Sequence, residues 1–265
     1  MDYYSSLFAS KLSGGGGGGS SVEVEPLSVT ENGTYQEEGK AYSPVTVNVS
    51  GGGGSEQYQL CEYIQNTGNS FINTQISANA YDTLICNIEF DSVVAWEGIF
   101  GSQDNATSIA NAKRFGIAGN VSQVGVVCGS NDIRKTYSFS ANTKYKLEYQ
   151  CSDSNRYMYI NNTAVLSPTE ASYAFASGYP AYIFCCNYAG TTKQAEYFLG
   201  KVYDFTFYKN GQIVAEFLPA YDKTTLEVGL LETISGRFYT NQGTGSFAKG
   251  GDVNQQELLG ILLGQ

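Results

Sequence analysis

The sequence predicts an all-β protein whose main domain is a sandwich of two packed antiparallel sheets. Aromatic residues make up 14% of the chain, with 21 Tyr and 14 Phe, against 15% charged residues, and this mix favours strands over helices. Short apolar runs separated by turn residues recur from Tyr58 onward at the spacing typical of a sandwich, and no convincing helix of three turns interrupts them.

The clearest local signal is the segment Lys201–Leu218, which predicts a β-hairpin. Two aromatic and β-branched runs flank Asn210-Gly211, a pair that suits a two-residue turn because both central positions need positive φ. A hairpin alone is marginal in water, so this one indicates a larger all-β body that covers its apolar face.

The simplest register of this hairpin makes specific predictions about its faces. Phe207 faces Val214, and Phe205 shares the core face with Phe207 and Tyr203. The same register puts Glu216 opposite Phe205 on that face. This acid therefore lies at the margin of the sheet, or a bulge shifts the register.

The chain before the main domain divides into four segments. Residues 1–13 predict a short amphipathic helix that is ordered only when docked on a partner, the alternative being a frayed terminus. Residues 14–21 and 51–55 are glycine-rich linkers, and residues 22–50 alternate as three or four short strands of a small β unit. The apolar face of the first segment, which we expect to anchor the protein to a particle, consists of Tyr4, Leu7, Phe8 and Leu12.

The main domain is expected over residues 56–250, and its strands follow one another closely. The strand candidates are Tyr58–Ile64, Phe71–Ile76, Thr83–Phe90, Gly98–Gly101, Arg114–Ala118, Gln123–Cys128, Lys144–Gln150, Arg156–Ile160, Ala164–Leu166, Ala181–Cys186, Phe198–Tyr208 and Gln212–Leu218.

The last segment, residues 251–265, is aliphatic. Its cluster exceeds one helical face and requires burial against another chain or against the domain itself, and we favour contact between chains. The residues expected in this contact are Leu258, Leu259, Ile261 and Leu262.

Two stretches carry resemblances to known families. The run LSVTENGTYQEEGKAYSPVTVNV resembles a short segment that recurs in structural proteins of phages and prophages of Gram-positive gut bacteria. The runs CEYIQNTGNSFINTQI, IFGSQDN, KRFGI and RYMYINNTAVL, with the closing run Gly200–Phe247, together resemble a laminin-G-like, concanavalin A-like domain over residues 58–248. These resemblances imply a jelly-roll sandwich on a virion appendage, often a trimeric one, and they leave the ligand open.

Composition excludes several classes of function. The chain has no histidine, which rules out Ser-His-Asp and Cys-His catalysis and every imidazole metal ligand. A net charge of −10 makes nucleic acid a poor partner. No apolar run reaches the length of a membrane span, no Sec-type leader is recognised, and we expect no cofactor.

The remaining chemistry-bearing residues point to binding. The related glycoside hydrolases need two suitably spaced carboxyls, and the nearest pattern here is Glu89-Phe90-Asp91, with Glu196, Asp204 and Glu216 as isolated acids. We therefore predict that the protein is not an enzyme. The six cysteines show no metal-ligand spacing and are expected as free buried thiols rather than disulfides.

A ligand site is expected at the one tryptophan and two polar loops, Gly101–Asn111 and Gly129–Lys135. The alternative is that the tryptophan is core and that the loops are ordinary turns. Two of the acids, Asp104 and Asp132, could ligate calcium, but their spacing does not support a metal site. The candidate contacts are Trp96, Asp104, Asn105, Asn131, Asp132 and Arg134.

From these observations we expect a virion structural protein, a head fibre, capsid decoration or tail fibre, assembled in the cytoplasm of the host bacterium. Its partners would be other virion proteins, further copies of itself and surface glycans. The alternatives are a glycan-cleaving tail-spike-like enzyme and a passive decoration without a ligand.

Overall fold

The computed structural model describes residues 57–77, 82–93, 96–104, 114–120, 122–128, 131–151, 156–169, 178–192 and 197–253. The predicted N-terminal helix, the linkers and the small β unit, which include Tyr4, Leu7, Phe8 and Leu12, lie outside the described residues. So do Leu258, Leu259, Ile261 and Leu262.

The described chain is built of β-strands joined by turns and loops. In chain order the strands are β1 (Tyr58–Leu60), β2 (Ile64–Asn66), β3 (Ile72–Ser77), β4 (Thr83–Phe90), β5 (Glu97–Gln103), β6 (Arg114–Gly119), β7 (Gln123–Cys128), β8 (Asn131–Thr136), β9 (Lys144–Cys151), β10 (Arg156–Ile160), β11 (Thr163–Thr169), β12 (Pro180–Ile183), β13 (Cys186–Tyr188), β14 (Gly200–Lys209), β15 (Gln212–Asp222), β16 (Val228–Glu232), β17 (Phe238–Thr240) and β18 (Phe247–Lys249).

These strands form two sheets. The first has the order β11-β10-β9-β4-β14-β15-β16-β17, with β1 paired to β15 and with β2 joining β14 to β18. The second has the order β3-β12-β5-β6-β7-β8. Its strands pair antiparallel, except that β13 pairs in parallel with β5.

The core lies between the two sheets and is rich in aromatic rings. The ring centroid of Phe100 in β5 lies 5.9 Å from that of Phe205 and 5.3 Å from that of Phe207, both in β14. All three side chains are buried. The predicted all-β sandwich of two packed sheets is thus confirmed.

Several predicted strands need correction at their ends. Thr83–Phe90, Gln123–Cys128 and Arg156–Ile160 occur as predicted. The single strand predicted over Tyr58–Ile64 is wrong, because the chain leaves β15 after Leu60 and pairs with β14 from Ile64.

The Asn210-Gly211 turn of the hairpin is confirmed, with φ values of 50° and 76°. The simplest register is wrong, because Phe207 pairs with Ala215 and not with Val214. A bulge lies between Ala215 and the next pair, Tyr208 with Ile213, which leaves Val214 as the extra residue of β15.

The bulge also resolves the position of the acid in this hairpin. Glu216 pairs with Thr206 instead of Phe205, and therefore alternates away from the core face. Tyr203 was also wrongly placed on the core face. A second irregularity between Val202 and Asp204 turns its ring outward, where its hydroxyl donates to Glu89 Oε2 at 2.9 Å.

The cysteines follow the free-thiol prediction in part. Cys61, Cys86, Cys185 and Cys186 do not form disulfides, and all but the last are buried. Cys151 is disulfide-bonded, so the prediction is wrong for this residue. Scattered positions in the sequence do not exclude a disulfide, because sheet pairing brings strands that are distant in the chain together.

Within the described residues, no helix is long and apolar enough to cross a membrane. In the same part of the chain, no group of three or more Asp, Glu or Cys side chains is arranged as metal ligands.

Candidate functional site

Trp96 lies at the start of β5, half-buried, on the outer face of the second sheet. The neighbouring strand β7 shows which face this is, because Val124 and Val126 are buried in the core and Gly125 between them faces outward. A Cβ atom placed on Gly125 would lie 3.0 Å from Cζ3 of Trp96 and 3.3 Å from Cη2. The indole thus occupies space that a side chain at position 125 would need.

A row of small residues crosses the sheet beneath the indole. In the observed register Gly98 pairs with Ala118, Ala118 with Gly125, and Gly125 with Arg134. The first three carry at most a methyl group, so the row forms a shallow floor across β5, β6 and β7. Arg134 on β8 closes one end of that floor.

The guanidinium of Arg134 lies over the indole, with its Cζ 5.0 Å from the ring centroid of Trp96. This distance is in the range of a cation–π contact. Arg134 is exposed, and Trp96 is half-buried. The pair therefore presents a planar donor group and an aromatic ring together, on a rigid sheet.

Beneath this pair, Glu97 fixes the start of β5. Its side chain is buried, and its Oε2 accepts a hydrogen bond from the backbone N–H of Leu199 at 3.2 Å. The Leu199 carbonyl in turn accepts from the backbone N–H of Asp91 at 3.0 Å. The pKa of Glu97 is raised to about 7, mainly because burial disfavours the charged carboxylate. The hydrogen bond from Leu199 lowers this pKa in part, and the negative charge of Asp91 adds to the rise.

The structure brings together only some of the predicted site residues. Trp96 and Arg134 are in contact. Asp104 follows the far end of β5, about 20 Å or more from Trp96 at the rise of an extended strand, so these two do not share a site. Asn105 lies outside the described residues.

The loop predicted over Gly129–Lys135 is wrong. Asn131 pairs with Cys128 and Asp132 with Val127, so both belong to strand β8 together with Arg134. Gly, Ser, Asn and Asp are typical of turns, but residues 131–136 form a strand paired with β7.

Sequence reasoning missed Glu97, Gly98, Ala118 and Gly125. A signal existed for Gly125, because a glycine inside the apolar strand QVGVVC indicates a close approach of another group. Nothing in the sequence shows that the approaching group is the tryptophan.

The acids considered for hydrolysis are engaged with protein groups. Glu89 accepts from Lys201 Nζ at 2.6 Å and from the Tyr203 hydroxyl. The carboxylate of Asp204 accepts from the backbone and side-chain amides of Asn87 at 3.1 and 2.8 Å.

The acid on β15 is also bound. Glu216 accepts from the Thr233 hydroxyl, while Glu196 lies outside the described residues. These contacts tie Glu89, Asp204 and Glu216 to residues of neighbouring strands and turns.

No protein-family model and no curated protein sequence matches the chain. Among solved structures, the chain is similar to a proposed carbohydrate-binding protein of Bacteroides ovatus, at 12% identity and a TM-score of 0.49, covering 74% of this chain and 62% of that one. The chain thus spans less than two thirds of that protein's length.

Two further structures are similar. One is the CBM40 of the Ruminococcus gnavus IT-sialidase bound to α2,3-sialyllactose, at 10% identity and a TM-score of 0.44, covering 57% of this chain and 92% of that one. The other is the heptameric SAP-like pentraxin of Limulus polyphemus, at 8% identity and a TM-score of 0.41, covering 74% and 94%. At these identities and scores the similarity says nothing about the ligand, and function rests on the residues of this chain.

Proposed function

We propose that the sandwich is a non-catalytic glycan-binding domain with Trp96 and Arg134 at the centre of its site. The observation that carries this proposal is the half-buried indole, which lies against Gly125 on the outer face and has a guanidinium 5.0 Å from its centroid. A tryptophan that served only the core would point between the sheets, whereas this one lies against Gly125 on the outer face of the second sheet.

The two side chains have complementary roles toward a sugar. The indole offers an apolar face on which the C–H face of a pyranose ring stacks. The guanidinium offers several N–H donors in a fixed plane, which suit neighbouring hydroxyls or a carboxylate. Because Arg134 is carried by strand β8 and Trp96 directly precedes strand β5, little conformational freedom is lost when a ligand binds.

The same proposal assigns the domain to a virion structural protein, a head fibre, decoration or tail fibre assembled in the host bacterial cytoplasm. Support comes from the resemblance of the small β unit in residues 22–50 to phage structural proteins, and from the linkers at 14–21 and 51–55. Many tethered copies would turn a weak site into firm adhesion. The expected partners are capsid or tail proteins and copies of the same chain, as a trimer or another homo-oligomer.

The test is binding of the full chain to an immobilised panel of neutral and acidic oligosaccharides. We expect Trp96→Ala and Arg134→Ala each to reduce binding at least tenfold. Because the chain has a single tryptophan, its intrinsic fluorescence reports the same event in solution for any glycan that the panel identifies.

The matched control is Arg237→Ala. Arg237 is also exposed, and its guanidinium lies 4.9 Å from the ring centroid of Tyr239. The substitution therefore removes the same kind of cation–π contact elsewhere on the surface. This variant should bind like the parent. Binding to no glycan in the panel would leave passive decoration as the function, and release of reducing sugar would establish the glycan-cleaving alternative.

A further inference from the structure

Cys151 is the last residue of β9 in the first sheet, and it is disulfide-bonded. Its side chain is fully buried. Tyr145, Leu147 and Tyr149 precede it at alternate positions of the same strand and are buried as well. Because alternate residues of a strand share a face, the bonded sulfur lies on the side of the first sheet that faces the second.

The bonding partner of Cys151 follows by elimination. The chain has six cysteines. Four of them do not form disulfides, namely Cys61, Cys86, Cys185 and Cys186. A bond to another copy of the chain would need an accessible sulfur, whereas Cys151 has none of its surface exposed. The remaining cysteine is Cys128.

The strand register puts position 128 on the matching side of the second sheet. Cys128 is the last residue of β7. Val124 and Val126 precede it at alternate positions and are buried in the core. By the same alternation, position 128 belongs to the core-facing side of β7. Both cysteine positions therefore lie at strand ends, on the sides of the two sheets that face each other.

The neighbouring strand β8 is weakly anchored by its side chains. It lies at the edge of the second sheet and, among the strands that the structure describes, pairs only with β7. Arg134, Lys135 and Thr136 are exposed, and Ile133 is only partly buried against the core. Little apolar surface therefore holds β8 to the sandwich.

The β7–β8 hairpin also carries the candidate site. Gly125 pairs with Arg134, and Cys128 pairs with Asn131 at the end where the two strands are connected. Cys128 follows Gly125 by three residues, about 10 Å at the rise of an extended strand. A covalent link at position 128 therefore fixes the hairpin close to the glycine against which Trp96 lies.

We propose that Cys128 and Cys151 form a disulfide that fastens the β7–β8 hairpin to the first sheet and makes the Trp96–Arg134 site depend on redox conditions. The site itself rests on the glycan-binding function proposed above. In reducing surroundings both cysteines are thiols, and only strand pairing and packing hold the hairpin. With the bond closed, β8 has fewer accessible positions, and Arg134 is kept over the indole.

The bond closes by thiol–disulfide exchange with a small disulfide such as oxidised glutathione. One cysteine thiolate attacks a sulfur of the oxidant and releases one glutathione thiol. The second cysteine thiolate then attacks the mixed disulfide and releases the other. The two cysteines are oxidised by two electrons, their two protons end on the glutathione thiols, and the oxidant is reduced.

The first test is peptide mapping of the full chain after treatment with oxidised glutathione. The protein is denatured, alkylated without reduction, digested and analysed by mass spectrometry. We expect the peptides that contain Cys128 and Cys151 to be joined, and the other four cysteines to carry the alkylating group. Any other pairing, or alkylation of all six, would overturn the proposal.

The second test is reduction of the folded chain with a phosphine, with complete opening of the bond verified by alkylation. We expect the emission of Trp96 to shift to longer wavelength. Binding to a glycan that the panel identifies should fall by about threefold or more, because a mobile Arg134 must be ordered on binding. Oxidised glutathione should restore both signals. Unchanged emission and binding in the fully reduced chain would overturn the redox dependence.

The emission measurement needs no ligand, so it separates this proposal from the proposed function. A chain that binds no glycan but shows the reversible emission shift would contradict glycan binding and still support the disulfide as a lock on the indole and its guanidinium. A chain that binds a glycan equally in both redox states would do the reverse.

Variants give the same comparison without a reductant. The double variant Cys128→Ala/Cys151→Ala should show the emission of the reduced chain and no response to the phosphine. The matched control Cys186→Ser removes a cysteine that forms no disulfide, and it should respond to reduction as the parent does. If the double variant does not fold, the reduced parent chain supplies the comparison. A folded double variant with the emission and binding of the oxidised parent would contradict the proposal.

Discussion

Gly125 controls the position of the indole, and it allows a test of the site that leaves Trp96 and Arg134 in place. In Gly125→Val, the new side chain would occupy space now filled by Cζ3 and Cη2 of Trp96. We expect a red shift of the tryptophan emission and loss of glycan binding, with the fold kept because position 125 faces outward.

The control for this change is Gly68→Val. A Cβ at Gly68 would meet nothing within 4 Å, so this variant should leave both emission and binding unchanged. An unchanged emission spectrum in Gly125→Val would show that the indole does not depend on the glycine.

Glu97 makes stability depend on pH. Its folded-state pKa of about 7 lies above the ordinary value of 4.5, so the folded protein keeps this proton where the unfolded chain has released it. The contribution is fully present below about pH 4.5 and is lost as the pH rises to about 7. We expect Glu97→Gln to remove this loss.

The measurement is urea unfolding of parent and variant at pH 5 and pH 8. At about 1.4 kcal/mol per pKa unit, the parent should lose on the order of 2 kcal/mol relative to Glu97→Gln between these two pH values. Other titrating groups are common to both proteins and cancel in the difference. Parallel pH profiles would contradict the assignment to Glu97.

At the level of single residues, part of the candidate site could be predicted from the sequence. The sequence indicates Trp96 because it is the one tryptophan, and Arg134 because it lies in a polar stretch. That they touch depends on strand pairing between β7 and β8, which composition does not reveal. Glu97 was missed because its burial and its contact with Leu199 arise from residues about 100 positions apart.

Among the elements, the β14–β15 hairpin allows a direct test of the observed strand register. Val214 is the extra residue of the bulge and is 39% exposed. Deleting it would let Ile213 and Ala215 follow one another with their partners Tyr208 and Phe207 already in register. We therefore expect this deletion within a strand to be tolerated, with a Tm within a few degrees of the parent.

The control is deletion of Glu216, two residues along the same strand. It would move Phe217, which is fully buried, off the core face, because a shift of one residue exchanges the two faces of a strand. We expect this variant to fail to fold or to unfold at a much lower temperature in a thermal scan. Equal tolerance of both deletions would contradict the observed register.

Strands with alternating apolar residues were predictable as elements, as Thr83–Phe90 shows. Strand β8 was missed because its residues favour turns, and its place is set by pairing with β7. From the sequence, the bulge in β15 is one of two explanations for Glu216 on the core face. The acid indicates that the simplest register is wrong, but it does not show where the extra residue lies.

At the scale of the molecule, the last strand closes the sandwich against the first ones. β18 pairs with β2, and Phe247 lies 5.0 Å from Phe184 between ring centroids. Residues beyond β18 continue this closure, with the Gly250 N–H donating to the Tyr63 carbonyl at 3.0 Å.

Two shortened chains test how much the pairing of β18 with β2 contributes to thermal stability. A chain that ends at Val253 keeps all of these contacts, and we expect cooperative thermal unfolding with a Tm close to that of the full chain. A chain that ends at Ser246 loses β18 and exposes the ring of Phe184, and we expect loss of the cooperative transition or a large fall in Tm. Similar Tm values for the two would show that β18 contributes little.

The fold class and most strands followed from the sequence, because aromatic content and alternation are local properties. The pairing of the first and last strands could not be predicted from the sequence. The reason is that β1, β2 and β18 are short and pair with strands distant in the chain.

The closure of β1 against residues 250–253 has a practical consequence. The two ends of the described domain lie close together, because Val253 is hydrogen-bonded to Leu60 and Gln57 directly precedes β1, three residues before Leu60. A short peptide could therefore join the two ends, and the fold could be opened elsewhere, for example at the Asn210-Gly211 turn. We therefore expect the sandwich to tolerate circular permutation, and to fold when it is inserted into a surface loop of a carrier protein.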